Sequence, residues 1–142
     1  MKKQFMVLTI FMTGLVIICS CKKTSTNFIN ENLSIDTTAV LKYEGTFTSG
    51  PYGTVNGIAR IYLKENKYTV ALENFTSSNG PDLKVYLSKE RLPLNFIKLS
   101  DLRSTNGNQL YNIAGSPDFT QYKYVLIHCE QYNHLFGSAE LR

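Results

Sequence analysis

The feature that most constrains this chain is a series of short runs of alternating apolar and polar residues, separated by turns, that begins near residue 39. Val, Ile, Thr, Tyr and Phe are frequent in the runs, and Gly, Pro, Asn and Asp mark the breaks between them. No segment keeps the 3.6-residue period of a helix beyond two turns. The pattern predicts one all-β domain, an antiparallel β-sandwich or barrel-like fold of about eight short strands.

The turn positions divide this region into eight predicted strands. They cover residues 41–48, 55–63, 68–75, 83–88, 96–99, 110–113, 122–129 and 135–141. Glu65-Asn66 predicts a hairpin between the second and third strands. In the last strand, alternation predicts one face with Leu135, Gly137, Ala139 and Leu141 and another with Phe136, Ser138 and Glu140.

The first twenty-one residues have the pattern of a bacterial lipoprotein leader. Lys2 and Lys3 precede an apolar run that ends at Cys19. The run is about fifteen residues long, short for a membrane span of about twenty and typical of a signal peptide. Ile18-Cys19-Ser20-Cys21 resembles the lipobox, in which a small residue precedes the lipidated cysteine. Residues 1–20 are therefore predicted to be a signal peptide and Cys21 the lipidated N-terminus, with an uncleaved anchor or a simple cleaved signal as alternatives.

A polar segment separates this leader from the strands. Residues 21–38 are rich in Thr, Ser and Asn, which predicts a flexible tether, with a first edge strand around Phe28 and Ile29 as the alternative. The β domain is then residues 39–142. We expect the protein in the cell envelope, attached to a bacterial membrane through a diacylglyceryl group on Cys21, with the domain outside the cytoplasm.

The charge of the chain gives no reason to expect a nucleic-acid partner. The formal net charge is +4, but Lys2 and Lys3 belong to the leader, so thirteen basic residues stand against eleven acidic ones in the rest. These are scattered, and no basic run is interleaved with aromatic residues. Patterns for zinc binding, covalent haem attachment, a hydrolase triad or a phosphate loop are absent from the sequence.

One cysteine remains outside the leader. Cys19 would be removed and Cys21 blocked by lipid, so Cys129 has no partner for a disulfide within the chain. An odd thiol in an exported protein pairs between molecules, is a reactive group or ligand, or is an inert buried residue. Cys129 ends the predicted strand Tyr122–Cys129, whose two faces are mostly apolar, so we expect this strand to be covered on both sides.

Two histidines are candidates to accompany the thiol. His128 is adjacent to Cys129, but neighbouring strand residues point to opposite faces unless a bulge intervenes. If residues 130–133 form a four-residue hairpin connection, Cys129 and His134 are cross-strand neighbours with Cβ atoms about 4.5–5.5 Å apart. An imidazole there would share a proton with the thiol or ligate a metal ion with it. Alternatively, both histidines are ordinary polar residues near a loop.

Several stretches, taken in order, resemble the DM13 domain family of bacterial exported and animal extracellular proteins. The resemblance spans most of the domain. The stretches that carry it are Gly53-Thr54-Val55-Asn56-Gly57, Glu73-Asn74-Phe75, Asn79–Leu83, Val85–Ser88, Gly107–Gln109, Tyr111, Val125–Cys129 and Phe136–Leu141. Each alone is a turn or strand pattern, and their order makes the resemblance specific.

The resemblance implies electron transfer through a cysteine, either as a bare thiol or as a ligand to a group such as haem, and Cys129 is the matching position. We therefore expect Cys129 to be the redox thiol, and the possible cross-strand pairing, not the resemblance, makes His134 its expected partner. Cys129, His128 and Tyr111 are the residues expected to contact a cofactor, whose identity stays open, and no separate metal site is expected. Tyr111 and Tyr132 are alternatively core or cross-strand residues.

Two functions fit the sequence. The first is a membrane-anchored extracytoplasmic redox module that uses Cys129 as thiol or ligand and meets a redox partner protein. The second is a non-catalytic binding or adhesion domain in which Cys129 packs in the core. A redox carrier or binding module is favoured over a turnover enzyme, because no hydrolase or kinase pattern is present.

Overall fold

The computed structural model describes residues 37–142. The predicted signal peptide, the lipidated Cys21, the tether up to residue 36 and the alternative edge strand at Phe28 and Ile29 lie outside the described residues. Within residues 37–142, no helix is long and apolar enough to cross a membrane.

The described region forms eight strands in one sheet, each antiparallel to its neighbours. In chain order these are β1 (Val40–Ser49), β2 (Val55–Lys64), β3 (Lys67–Ser77), β4 (Leu83–Ser88), β5 (Phe96–Asp101), β6 (Gln109–Asn112), β7 (Tyr124–Cys129) and β8 (His134–Glu140). The order across the sheet is β5-β4-β7-β8-β1-β2-β3-β6. The outer strands β5 and β6 approach each other, so the sheet curls into a nearly closed barrel. The prediction of an all-β, barrel-like domain is confirmed.

The β2–β3 hairpin forms at the predicted turn. Glu65 and Asn66 have φ angles of 48° and 60°, and Lys64 pairs with Lys67 across them. Positive φ at both central residues is the geometry that keeps two flanking strands in register.

Strand β1 is shared between the two halves of the sheet. Its first part pairs with β2, and Phe47, Thr48 and Ser49 pair with β8. Gly45 lies where a Cβ atom would collide with the backbone of Glu140, so only glycine allows β1 to come this close to the end of β8. Outward-facing residues of β1, β2 and β8 line a groove on the outer surface of the sheet.

The inward faces of the strands form one apolar core. It includes Phe47, Val55, Ala59, Ile61, Val70, Leu72, Phe75, Leu83, Val85, Leu87, Tyr111, Val125, Ile127, Cys129, Phe136 and Ala139. Each fully buried large side chain of this kind contributes about 1.5–3 kcal/mol of transfer free energy, and this inward packing is what holds the sheet in its curled form.

Strand β7 lies between β4 and β8 in the sheet. It is buried on both faces, as predicted. Outward-facing Leu126 packs with Tyr86 and Leu135 in a second, smaller cluster. The predicted start at Tyr122 is wrong. Tyr122 follows a turn in which its backbone N donates to Asp118 O (2.9 Å), and it packs against the main core instead of the outer cluster.

A β-bulge in β8 overturns one predicted face assignment. Leu135 pairs with His128 and Gly137 pairs with Ile127, so Phe136 is an extra residue on its strand. Leu135 therefore joins the outer cluster and Phe136 enters the barrel core. Simple alternation cannot anticipate this change, because the bulge shifts the period by one residue.

Candidate functional site

Cys129 is the last residue of β7, and both neighbouring strands hold its backbone. It is the register partner of Leu83 on β4 and of His134 on β8. Its side chain is a free thiol, 1% exposed, within the barrel core. Directly after it, the Glu130 backbone N donates to Asp82 O (3.0 Å), which fixes the exit of the strand. The thiol is thus a buried group at one end of the barrel.

The predicted pairing of Cys129 with His134 is confirmed. The connection after β7 turns back at Asn133, whose φ is 52° and whose backbone N donates to Glu130 O (3.3 Å). The two residues are paired directly across the sheet, an arrangement in which Cβ atoms are usually about 4.5–5.5 Å apart. Their roles in redox chemistry remain predictions.

An aromatic pair, Tyr52 on His134, covers this end of the barrel. The two rings are parallel within 2°, with centroids 3.6 Å apart. Tyr52 belongs to the β1–β2 loop, whose Gly50 N donates to Phe136 O (2.6 Å). Tyr52 is 56% exposed and His134 is half-buried. We call Tyr52 and His134 the aromatic cap.

Phe136 fills the space beneath the β1–β2 loop. A Cβ atom at Gly53 would collide with its ring, and one at Gly80 would lie 2.8 Å from its Cζ atom. Two loops from different parts of the chain therefore reach the same aromatic ring only because glycine stands at both contact points. The loops and Phe136 together close the end of the barrel where Cys129 lies.

His128 lies on the opposite side of β7 from Cys129, as strand geometry predicts. Its side chain is 4% exposed and 5.6 Å from the ring centroid of Tyr86. Nε2 is 3.1 Å from Asn133 Oδ1, and Nδ1 has no hydrogen-bond partner. Burial lowers the pKa of His128, although its hydrogen bond to Asn133 Oδ1 and the charge of Glu130 oppose this shift. His128 is therefore not a partner for the thiol in this geometry.

The model of the family described as "Electron transfer DM13" matches residues 46–141. The chain belongs to the DM13 family. It therefore carries an electron-transfer-related domain. No curated protein and no solved structure matched the chain significantly.

Residues that carry the DM13 resemblance gather around Cys129. Gly53 and Gly80 pack on Phe136, and Leu83 is the register partner of the cysteine. These residues come from widely separated stretches of the sequence, and the barrel topology brings them to one end. The DM13 stretches thus include the two loop glycines that contact Phe136 and the residue that pairs with Cys129.

Tyr111 is a core residue of the DM13 domain. It is 1% exposed, and its hydroxyl donates to Gln109 Oε1 (2.6 Å) and accepts from Arg103 N (3.1 Å). Burial raises its pKa. Neither ring face is open at the surface, so the arrangement does not favour the predicted contact with a cofactor, which stays untested. Tyr132 is 57% exposed, with its ring centroid 5.9 Å from that of His134.

Asp82, in the loop before β4, belongs to a cluster of ion pairs. Its Oδ1 lies 2.6 Å from Lys84 Nζ, which also contacts Asp101 Oδ1 at 2.6 Å. The two carboxylates raise the pKa of Lys84, and Lys84 in turn lowers the pKa of Asp101. The three charges fix the start of β4 close to Cys129.

Haem ligation by Cys129 does not fit this geometry. The thiol is enclosed by the core, and it lines neither the 730 Å³ outer groove nor the 350 Å³ depression beside Asp82. Within residues 37–142, no three His, Cys, Asp or Glu side chains gather as metal ligands.

Tyr52 is a site residue that the sequence did not single out. It stands between Gly50-Pro51 and Gly53, a turn-rich segment that was treated only as a connection. A large aromatic residue flanked by loop glycines is the feature that would have marked it, because exposed aromatic residues in rigid loops often contact another group.

Proposed function

We propose that this protein is a lipid-anchored, extracytoplasmic redox module whose centre is the Cys129 thiol, reached when the aromatic cap opens. The observation that carries the proposal is the pairing of Cys129 with His134 beneath Tyr52. Membership of an electron-transfer family supports it. The exposed Tyr52 ring contacts His134, the paired neighbour of Cys129, and movement of this one side chain would uncover His134 without unfolding the barrel.

The reaction that this site supports is thiol–disulfide exchange with a partner protein that supplies a disulfide. His134 takes the proton from the Cys129 thiol, and the thiolate attacks one sulfur of the partner disulfide. A bond forms between Cys129 and that sulfur, and the other partner sulfur leaves as a thiolate and receives the proton. A dithiol donor protein then attacks the Cys129 sulfur, which releases the partner with both of its cysteines reduced. The second thiol of the donor displaces Cys129, so two electrons pass from the donor dithiol to the partner disulfide and the free Cys129 thiol is restored.

The membrane anchor is part of the proposal and rests on the sequence. Lys2 and Lys3, the apolar run and Ser20-Cys21 together support export and lipidation. A lipid-anchored domain on a polar tether would meet partners at the membrane surface, where disulfides persist because the compartment outside the cytoplasm is oxidising.

A second function is a binding or adhesion domain in which Cys129 only packs. The 1% exposure of the thiol and its place among apolar side chains favour this alternative. Free cysteine is among the most buried residue types in proteins that use it for packing alone.

Exchange with a small disulfide distinguishes the two functions. The reduced full chain, in mild detergent, is incubated with glutathione disulfide under native conditions and then weighed by mass spectrometry. The redox proposal expects one added glutathione on the folded wild type and none on Cys129→Ser. Reaction only in denaturant would favour the packing function. A visible spectrum recorded with added haem tests ligation separately, and a Soret band lost in Cys129→Ser would contradict the thiol-only chemistry.

A further inference from the structure

A second candidate site lies on the outside of the barrel. A groove of about 730 Å³ is lined by residues of β1, β2, β7 and β8 and of the β4–β5 loop, and Cys129 does not line it. Small-molecule sites usually have volumes of about 300–1,000 Å³. The groove is lined mainly by charged and hydroxyl-bearing side chains, so a polar ligand fits it better than an apolar one.

Three arginines line this groove, and only two of them are paired with carboxylates. Arg60 contacts Glu44 (Nε–Oε2 3.0 Å) and Glu73. Arg142 lies 3.4 Å from Glu140. Arg91 has no carboxylate partner within the described residues, and its one protein hydrogen bond is from Nε to Ser138 Oγ (3.1 Å). Its Nη groups are therefore available for an anion in the groove.

The β4–β5 loop holds Arg91 in place without a ligand. The buried Ser88 hydroxyl lies within hydrogen-bond distance of the carbonyl oxygens of Leu92 (3.1 Å) and Asn95 (3.3 Å). Glu90 accepts from the backbone N (3.2 Å) and side-chain amide (3.0 Å) of Asn95. These bonds order the loop, so binding an anion at Arg91 would require little further loss of conformational entropy.

The other lining groups restrict what the anion is. Thr46, Thr48 and Tyr124 line the same groove and bring hydroxyl groups, and Glu44 and Glu140 bring carboxylates that accept hydrogen bonds. These carboxylates would repel a ligand with several negative charges. A ligand with one carboxylate and many hydroxyls would pair with Arg91 and donate hydrogen bonds to the groove carboxylates. Its single charge would limit the repulsion from them.

We propose that the groove binds an acidic saccharide, with its carboxylate on the Arg91 guanidinium and its hydroxyls on the threonine and glutamate side chains. The planar guanidinium holds a carboxylate through two parallel hydrogen bonds, which a neutral sugar cannot replace. This site is independent of Cys129, so its failure would leave the redox proposal unchanged, and the reverse also holds.

The test compares two disaccharides that differ in one carboxylate. Isothermal titration of the full chain in detergent is carried out with cellobiouronic acid, with cellobiose and with inorganic phosphate. The expected result is at least about tenfold tighter binding of the acidic disaccharide, since a charge-assisted pair is worth about 1.5–3 kcal/mol. Equal affinity for the two disaccharides, or no binding of the acidic one, would overturn the proposal. Equal binding of inorganic phosphate would also overturn it, because the site would then recognise a bare anion.

Variants of Arg91 test whether this residue binds the carboxylate of the ligand. Arg91→Gln is expected to lower affinity for the acidic disaccharide about tenfold and to leave affinity for cellobiose unchanged. Arg91→Lys keeps the charge but not the planar guanidinium. Its affinity for the acidic disaccharide is expected to lie between that of the wild type and that of Arg91→Gln. Arg103→Gln is the matched control, because Arg103 lies over the Tyr111 ring and does not line the groove. Unchanged binding by Arg91→Gln, or an equal loss in Arg103→Gln, would contradict the assignment.

Discussion

Cys129 and His134 face each other across the β7–β8 hairpin, and Tyr52 stacks on the His134 ring at 3.6 Å. The strand register fixes the first pair, whereas a single loop residue provides the cover. The positions of the thiol and its imidazole neighbour are therefore set by the strand register. The proposed redox function adds that movement of Tyr52 opens access to them.

Gly137 is expected to be essential to the packing of β8. A Cβ atom there would lie 2.6 Å from Val55 Cβ, a β-branched side chain in the core. Gly137→Ala is expected to lower the free energy of unfolding by about 1–3 kcal/mol, because the core cannot accept the methyl group without strain. Urea unfolding measures this loss.

Removing the opposing side chain supplies the control. In Gly137→Ala/Val55→Gly the clashing Cβ atom of residue 55 is absent, so the loss should be smaller than the sum of the two single losses by about 0.5–3 kcal/mol. Additive losses would show that the methyl group is not in conflict with Val55.

Features that depend on residues close together in the sequence could be predicted, and features that depend on tertiary packing could not. Alternation and turn residues predicted the eight strands and the Cys129–His134 pairing, because each depends on neighbouring residues. The bulge at Phe136 could not be predicted, since it depends on how β8 meets β7. The aromatic cap and the outer groove were also missed, because tertiary folding joins Tyr52 to His134 and Arg91 to Ser138 across long stretches of chain.

Mild acid is expected to destabilise the domain through His128. Burial lowers the pKa of His128 in the folded state, so the unfolded chain takes up the proton first. The free energy of unfolding therefore falls as the pH decreases from about 6.5 towards the lower folded-state pKa, by at most about 1.4 kcal/mol per pH unit. The pKa of Glu130 is lowered as well, chiefly by the hydrogen bond from Lys98, so the stability that this pair contributes is lost only as the pH falls below the ordinary range of a glutamate.

The pH effect is measured by urea unfolding of the wild type and His128→Leu at a series of pH values. Leucine fills the apolar site without a titrating group, so the variant should lose this part of the slope. An unchanged slope in His128→Leu would assign the effect to another group.

Lipidation is expected at Cys21 and not at Cys19. Expression of the full chain with radiolabelled palmitate should label the wild type and Cys19→Ser, and should leave Cys21→Ser unlabelled. The reason is that a small residue, Ser20, precedes Cys21, whereas Ile18 precedes Cys19. Label retained in Cys21→Ser would contradict the predicted anchor.

The most direct test of the gated thiol is the rate at which Cys129 reacts with a thiol reagent in the folded chain. Tyr52→Ala removes a ring contact worth about 0.5–1.5 kcal/mol, so the rate should rise about twofold to tenfold, while Tyr132→Ala serves as the control. A gated thiol predicts that wild-type Cys129 reacts faster than the barrel unfolds. Of the two variants, only Tyr52→Ala should react faster than the wild type. Reaction only at the rate of global unfolding, with no separate effect of Tyr52→Ala, would contradict it.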